Sequence, residues 1–275
     1  MTRIHSTAVV SPKAELASDC EIGPHAIVED DVILGAGCVV RANAVICAGT
    51  SMGSENEVHY GAVIGHVPQD KHFVGASTRT RIGNKNVFRE HCQIHRGSRD
   101  GSTTEIGNGN LIMALAHVAH DCRIEDDVVI CNNTLLAGHI HVESRAVISG
   151  NVVVHQFSRI GRLAMVGGLS AVPRDVPPFM MAVGNRPCVV VGLNTVGLRR
   201  AGVDHEGRLR LRNAYRILYR SRDVLPDAVE RIEALGGREI EHLVAFLRAT
   251  RRGLLAGPRF EDEGEGGDEI ENGDE

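Results

Sequence analysis

The sequence predicts a mainly β fold: a parallel β-helix of hexapeptide repeats, followed by a C-terminal α-helical domain. Three observations carry that prediction. A large apolar residue recurs every six positions through the first two thirds of the chain. A small residue usually stands two places before it. Beyond Val176-Pro177-Pro178 the period changes to that of amphipathic helices.

The repeat begins at Ile4 and runs through Val10, Leu16 and Ile22 to Val172. Of the 29 positions spaced by six, 26 carry a large apolar residue. Neither the 3.6-residue helical period nor the two-residue strand period produces such a series. Ala8, Ala14, Cys20, Ala26, Cys38, Cys92 and Cys122 are among the small residues two places earlier. One large and one small inward residue per hexad describes short strands joined by tight corners, three hexads to a coil. Gly often follows the apolar residue, as at Gly35, Gly53, Gly83 and Gly107. A backbone that tolerates positive φ at a corner is expected there. The three exceptions, Asp70, Ala76 and Asp100, fall in polar stretches at 66–79 and 97–104. These keep the phase, so they are expected to project as loops from coil corners.

Composition agrees. The chain is 43% apolar but only 3% aromatic, with no Trp, so its core must be aliphatic. No apolar run reaches the length of a membrane span, and residues 1–30 lack a signal-like apolar core. The seven Cys form no CxxC pair, and four occupy the small inward position, so packing rather than redox chemistry explains them. A cytoplasmic location is expected.

Charge divides the chain into three parts. Residues 1–185 hold 15 Lys and Arg against 18 acids, residues 186–260 hold 15 Arg against eight acids, and residues 261–275 hold nine carboxylates and no base. The expected boundaries are a β-helix over 1–185, a helical domain over 186–258 and an acidic, disordered tail over 259–275. Helical periodicity is read at 190–202, 208–222, 226–235 and 239–256, with Gly236-Gly237 and Gly253 as stops. The Arg-rich part reads either as a solvated face or as a docking surface for an acidic partner. Without interleaved aromatics, nucleic acid is not expected.

In a coil of 18 residues, residue i lies under residue i+18 at about 4.8 Å. His120 therefore lies beneath Gly138 and beside His139, with His155 and Gln156 one coil further. His117 is three residues earlier. Histidine suits general-base work near neutrality, Asp121 is placed to orient His120, and the Gly138 N–H is placed to meet an oxyanion. These parts suit acyl transfer to a hydroxyl or amine without a covalent enzyme intermediate. No Ser elbow or Cys–His pair appears, and Cys122 is an inward core residue. Three His on a β-helix edge also fit a zinc site of the γ-carbonic-anhydrase kind, the rival reading from a different class. No metal or other cofactor is expected.

Eight segments sharpen this: QDKHFVG at 69–75, IHRG at 94–97, NLIMALAHVAHDC at 110–122, NNTLLAGH at 132–139, VHQF at 154–157, MVGG at 165–168, DVPP at 175–178 and RNAYRILYRS at 212–221. Together they resemble the UDP-N-acetylglucosamine O-acyltransferases, hexapeptide-repeat enzymes that open lipid A biosynthesis. The resemblance spans roughly residues 1–255. It implies a left-handed β-helix, a homotrimer with sites between subunits, and a (R)-3-hydroxyacyl donor carried on acidic acyl carrier protein. It implies that His120 takes the proton from the 3-hydroxyl of UDP-GlcNAc, supported by Asp121, with Gly138 as oxyanion donor. Asp70, His117 and His139 would hold the glucosamine and acyl portions. Gln156, beside His155, and Asn194 would contact the nucleotide, Arg200 the carrier or the phosphates. Gly168 stands at the acyl-length ruler. Three places depart from the pattern: Lys71-His72 after the Asp, where the substrate-facing base would be His72, or Lys71 after a local shift, Val196 in place of an acid, and Ala201 in place of a second Arg. They point to an alternative acceptor, a 3-amino analogue of the sugar nucleotide.

Overall fold

The structure is a computed structural model that describes residues 1–221 and 223–258. The acidic tail expected at 259–275 lies outside the described residues. Among the described residues, three sheets of 11, 9 and 8 strands, parallel except for the last strand of the first, form the faces of a prism, and successive hexads visit the three faces in turn. The coils wind left-handed, against the usual sense of parallel crossovers.

Most strands are two residues long, and each pairs with the strand one coil away. Arg3 lies opposite Glu21, His117 opposite Leu135, and Val147 opposite Met165, a spacing of 18. Two exceptions mark the insertions. Glu57 faces Val87, 30 residues on, and Val87 faces Leu111, 24 on. Insertions of 12 and 6 residues therefore leave the prism as loops, and hexad phase survives because both are multiples of six.

From Ile22 onward the apolar row is almost wholly buried, with Ile46, Ile64, Ile94, Ile112, Ile130 and Ile148 at 0% exposure. Ile4 is 50% exposed because no coil lies below it. The small positions are as deep: Cys20, Cys92 and Cys122 are at most 1% exposed, and all seven Cys are free thiols. Burial pushes the Cys122 and Cys92 thiols up to about 12, which keeps them unreactive. Polar residues inside the prism satisfy one another. Asn56, Asn86 and Asn110 stack as a ladder; the Asn86 amide donates to Asn56 Oδ1 and the Asn110 amide to Asn86 Oδ1, each at 2.9 Å.

The expected role of the repeat glycines is corrected. Among Gly23, Gly35, Gly53, Gly65, Gly83, Gly107, Gly161 and Gly167, only Gly65 has positive φ. The others are small because coils approach closely: a Cβ on Gly35 would lie 2.4 Å from the Gly53 carbonyl carbon. The left-handed residues stand three places after the apolar one. Asp19, His25, Asp31, Asn43, Asp121, Asn133, His139 and Phe157 are of this kind, with φ near +60°. Asn, Asp and His tolerate that conformation better than most side chains.

The coils end in a two-stranded antiparallel hairpin, Met180–Val183 with Val189–Leu193, so the expected boundary at 185 falls inside its turn. Residues 190–193, expected as helix, are strand, consistent with the β-branched run Val189-Val190-Val191. Four helices follow among the described residues: α1, Thr195–Arg200; α2, His205–Arg220; α3, Leu225–Glu233; α4, Arg238–Arg248. Helix α4 stops short of the expected 256. Residues beyond it return to the coils, where Asp175 bridges Leu254. His242 on α4 meets Glu143 at 2.8 Å, and Arg159 stacks 3.7 Å from the Phe246 ring centroid. No helix among the described residues is long and apolar enough to cross a membrane.

Candidate functional site

The site is built on two stacked columns at one corner of the prism. One column holds His120, Gly138 and Gln156, the other Asp121, His139 and Phe157, each step one coil. The second column consists of left-handed residues, which turn their side chains out at the corner. The His139 N–H donates to the His120 carbonyl at 3.0 Å and the Phe157 N–H to Gly138 O at 3.1 Å, which holds the columns in register.

His120 Nδ1 and Asp121 Oδ2 lie 2.8 Å apart, with side chains 16% and 9% exposed. Asp121 is anchored from below. Its N–H donates to Thr104 Oγ1, and its carboxylate accepts from the Ser98 N–H and, at 2.6 Å, from Ser98 Oγ. Burial raises the Asp121 carboxyl, but hydrogen bonds from Ser102, Ser98 and His120 outweigh it and hold the group below the usual carboxylate range. An ionised Asp121 fixes the His120 proton on Nδ1. That leaves Nε2 as the basic atom.

Gly138 roofs this imidazole. A Cβ there would stand 2.6 Å from His120 Cε1, so glycine is the residue that fits. Its N–H has no acceptor among the described residues. Asn108 and Ser144, placed alike in their own hexads, donate theirs to Asp126 and Glu125, whereas His120 and Gln156, below and above Gly138 in its column, likewise have no acceptor among the described residues for this group. Gly138 thus presents a free backbone donor above a basic nitrogen.

Around the dyad lie more rings. His139 stands edge-on to His120 at 5.1 Å and stacks on Phe157 at 4.6 Å. Its Nε2 is 3.7 Å from Asp121 Oδ2. Burial lowers the His139 pKa, with the Asp121 carboxylate opposing. His117 packs 4.9 Å from His95, and burial together with His95 and His120 drives it down to about 4.

Other expected residues are placed less directly. The His72 N–H donates to Asp70 Oδ1 in a loop turn, and the His72 side chain is exposed. His155 is exposed, its Nδ1 3.1 Å from Gln156 O, and it touches none of the rings. Gln156 is also exposed. Gly168 is exposed, and a Cβ there would meet only Gly150 O at 3.4 Å and Ser149 Cβ at 4.0 Å. Arg200 is exposed at the end of α1. Asn194 is 6% exposed, its Oδ1 caps α1 through the Gly197 N–H, and its amide donates to Leu163 O. Its side chain is committed to the fold.

Sequence reasoning missed Ser98, Ser102, Thr104, His95 and Phe157. Ser98 and Ser102 belong to the six-residue insertion, where no periodicity gives position. Phe157 carried a signal: it sits 36 residues after Asp121.

The chain is similar to known proteins of one family. A family model described as UDP-N-acetylglucosamine O-acyltransferase matches residues 175–255, and one for bacterial transferase hexapeptides matches 103–138. An acyl-[acyl-carrier-protein]–UDP-N-acetylglucosamine O-acyltransferase of Thiobacillus denitrificans is 44% identical over 93% of this chain and 100% of its own. One from Gloeothece citriformis is 46% identical over 76% and 77%. Among solved structures, a UDP-N-acetylglucosamine acyltransferase of Bacteroides fragilis superposes with a TM-score of 0.89 at 38% identity, covering 92% of this chain and 99% of that one. One from Francisella novicida gives 0.90 at 33%, covering 93% and 94%. The chain belongs to the UDP-N-acetylglucosamine O-acyltransferase family of hexapeptide-repeat enzymes.

Proposed function

We propose that the protein transfers a (R)-3-hydroxyacyl group from acyl carrier protein to the 3-hydroxyl of UDP-GlcNAc, the first step of lipid A biosynthesis, in the cytoplasm. The observation that carries the reading is the His120–Asp121 pair beneath the uncommitted Gly138 N–H. His120 Nε2 removes the hydroxyl proton as the oxygen attacks the thioester carbonyl. Asp121 holds the ring and stabilises the imidazolium that forms. The Gly138 N–H meets the tetrahedral oxyanion. His120 then returns the proton to the departing thiolate of the carrier's phosphopantetheine, so the cycle needs no other cofactor.

Asp70, His72, His117 and His139 surround the acceptor in this reading. His155, Gln156 and Arg200 extend towards the nucleotide or carrier, and Asn194 acts by holding the start of α1 in place. The apolar flank of Leu135, Val153, Phe157 and Leu169, each more than 40% exposed, supports a homotrimer that closes the site against a neighbouring subunit.

The test is a product assay. Purified protein is mixed with 3-hydroxyacyl carrier proteins and either UDP-GlcNAc or its 3-amino analogue, and product masses are read. Acylated UDP-GlcNAc supports the reading. Product from the amino analogue alone moves the enzyme to N-acylation and directs attention to His72, Val196 and Ala201. His120, Asp121 and His139 also offer donor atoms within 4.8 Å of one another, as a metal site would. The 2.8 Å separation of His120 Nδ1 and Asp121 Oδ2 is that of a direct hydrogen bond, which favours proton transfer instead. Stoichiometric zinc, lost together with activity on chelation, would reverse that preference.

A further inference from the structure

A groove of about 940 Å³ runs along α2, lined by Arg212, Tyr215, Arg216, Tyr219, Arg220 and Arg231, of which Arg231 is paired with Asp223. Arg212, Arg216 and Arg220 are spaced by four and form one charged row. Arg212 and Arg216 are exposed and have no acidic partner among the described residues. Like charges at i and i+4 repel, so an isolated helix would lose stability from this row. The floor is also incomplete: the Tyr215 and Tyr219 hydroxyls are buried without a hydrogen-bond partner among the described residues. Both features are those of a surface that receives an anionic, hydrogen-bonding occupant.

The chain itself carries one to the same place. At Gly257 the backbone lies against the Tyr219 ring, so close that a Cβ there would be 3.1 Å from it. The chain therefore passes the wall of this groove just before residues 261–275, with their nine carboxylates and no base. Fifteen residues reach about 50 Å when extended, whereas Arg212 to Arg220 spans only about 12 Å of helix. The family match ends at 255, before the acidic segment begins. We propose that residues 261–275 dock into the α2 arginine groove of their own chain as a tethered polyanion, and compete there with acidic partners. Tethering gives such a segment a local concentration of about a millimolar, enough for weak ionic contacts to be occupied at low salt. For acyl carrier protein as the displaced partner, the inference rests on the function proposed above.

Arginine labelling with phenylglyoxal, read residue by residue by mass spectrometry, tests the docking without reference to activity. The wild-type full chain is compared with a full-length variant in which the nine carboxylates of 261–275 are amides (Glu→Gln, Asp→Asn). The proposal expects Arg212 and Arg216 to label about fivefold more slowly in the wild type at low salt, with the gap closing near 0.5 M salt. Arg123, exposed on the coils, should label equally in both. Equal labelling of Arg212 and Arg216 at low salt overturns the proposal, as does protection that grows with protein concentration. A lower KM for the acyl carrier in the amide variant extends it to catalysis. Shielding without any KM change leaves the docking standing and removes the carrier as competitor.

Discussion

Replacing Gly138 by Ala adds one methyl where the geometry leaves no room. The new Cβ would stand 2.6 Å from His120 Cε1 and 2.8 Å from Nε2. The backbone at 138 is not in the left-handed region, so no backbone strain is added, and the three nearest atoms all belong to the His120 imidazole. The ring must swing away by several tenths of an ångström or more. It cannot do so and keep the 2.8 Å bond to Asp121 Oδ2. Loss of a hydrogen bond to a charged group is worth about 1.5–3 kcal/mol, which is about 10- to 100-fold in rate. Displacement of the basic nitrogen from its line of attack adds to this, and small misplacements alone reach about 100-fold. We therefore expect kcat to fall by about 100-fold or more. The fold should change little, because the displaced ring sits at the corner and not among the buried isoleucines. Steady-state acyl transfer gives kcat, and thermal unfolding of the same sample gives stability. A Gly138→Ala variant with kcat within about twofold of wild type would refute the reasoning, since that is under 0.5 kcal/mol. So would a variant that loses activity only because it unfolds.

Three further predictions follow from other parts of the molecule. Gly168→Met should shift donor preference to shorter acyl chains, because the position has open space beyond Gly150 and needs no positive φ; competition between donors of different length reads this. Asn86→Leu should destabilise the coils by about 3 kcal/mol, since it leaves the buried Asn56 and Asn110 amide groups with lost partners; denaturant unfolding measures it. His117 is driven down to about 4 by burial and by its neighbours His95 and His120, so the folded state resists its protonation. The unfolded chain binds that proton near its ordinary value, so stability is full above about pH 6.5 and is lost as pH falls towards 4. Discounted for partial exposure, the loss is about 1–2 kcal/mol. His117→Asn should flatten the stability profile in that window by this amount, and an unchanged profile would reject it.

The repeat made most of the architecture legible, because a core residue every six positions leaves few folds open. It also placed His120 under Gly138, since a constant coil length converts sequence distance into stacking. What failed to show were the features that depend on other distances. The insertions change the coil-to-coil spacing to 30 and 24, and that hid His95 and Ser98 from any count by 18. Gly35 and its equivalents looked like turn residues, yet they relieve close packing between coils, a contact that only three-dimensional stacking creates. The true left-handed positions were occupied by Asp, Asn, His and even Phe157, so composition did not mark them. Val189-Val190-Val191 has both an apolar helical face and strong strand preference, and pairing with Met180–Val183 decided between them. The cap that Asn194 makes to α1 was not legible, because the helix was expected to begin at 190, before it.

In the proposed reaction His120 moves the proton while Asp121 and Gly138 hold the geometry. The most direct measurement is single-turnover acyl transfer by His120→Asn, with folding checked on the same sample. Asn keeps a hydrogen-bonding side chain of similar reach but has no basicity near neutrality. The account predicts a folded protein that still binds the sugar nucleotide and forms no acylated product above background. Product formed at close to the wild-type rate would show that another group takes the proton, and would contradict the account.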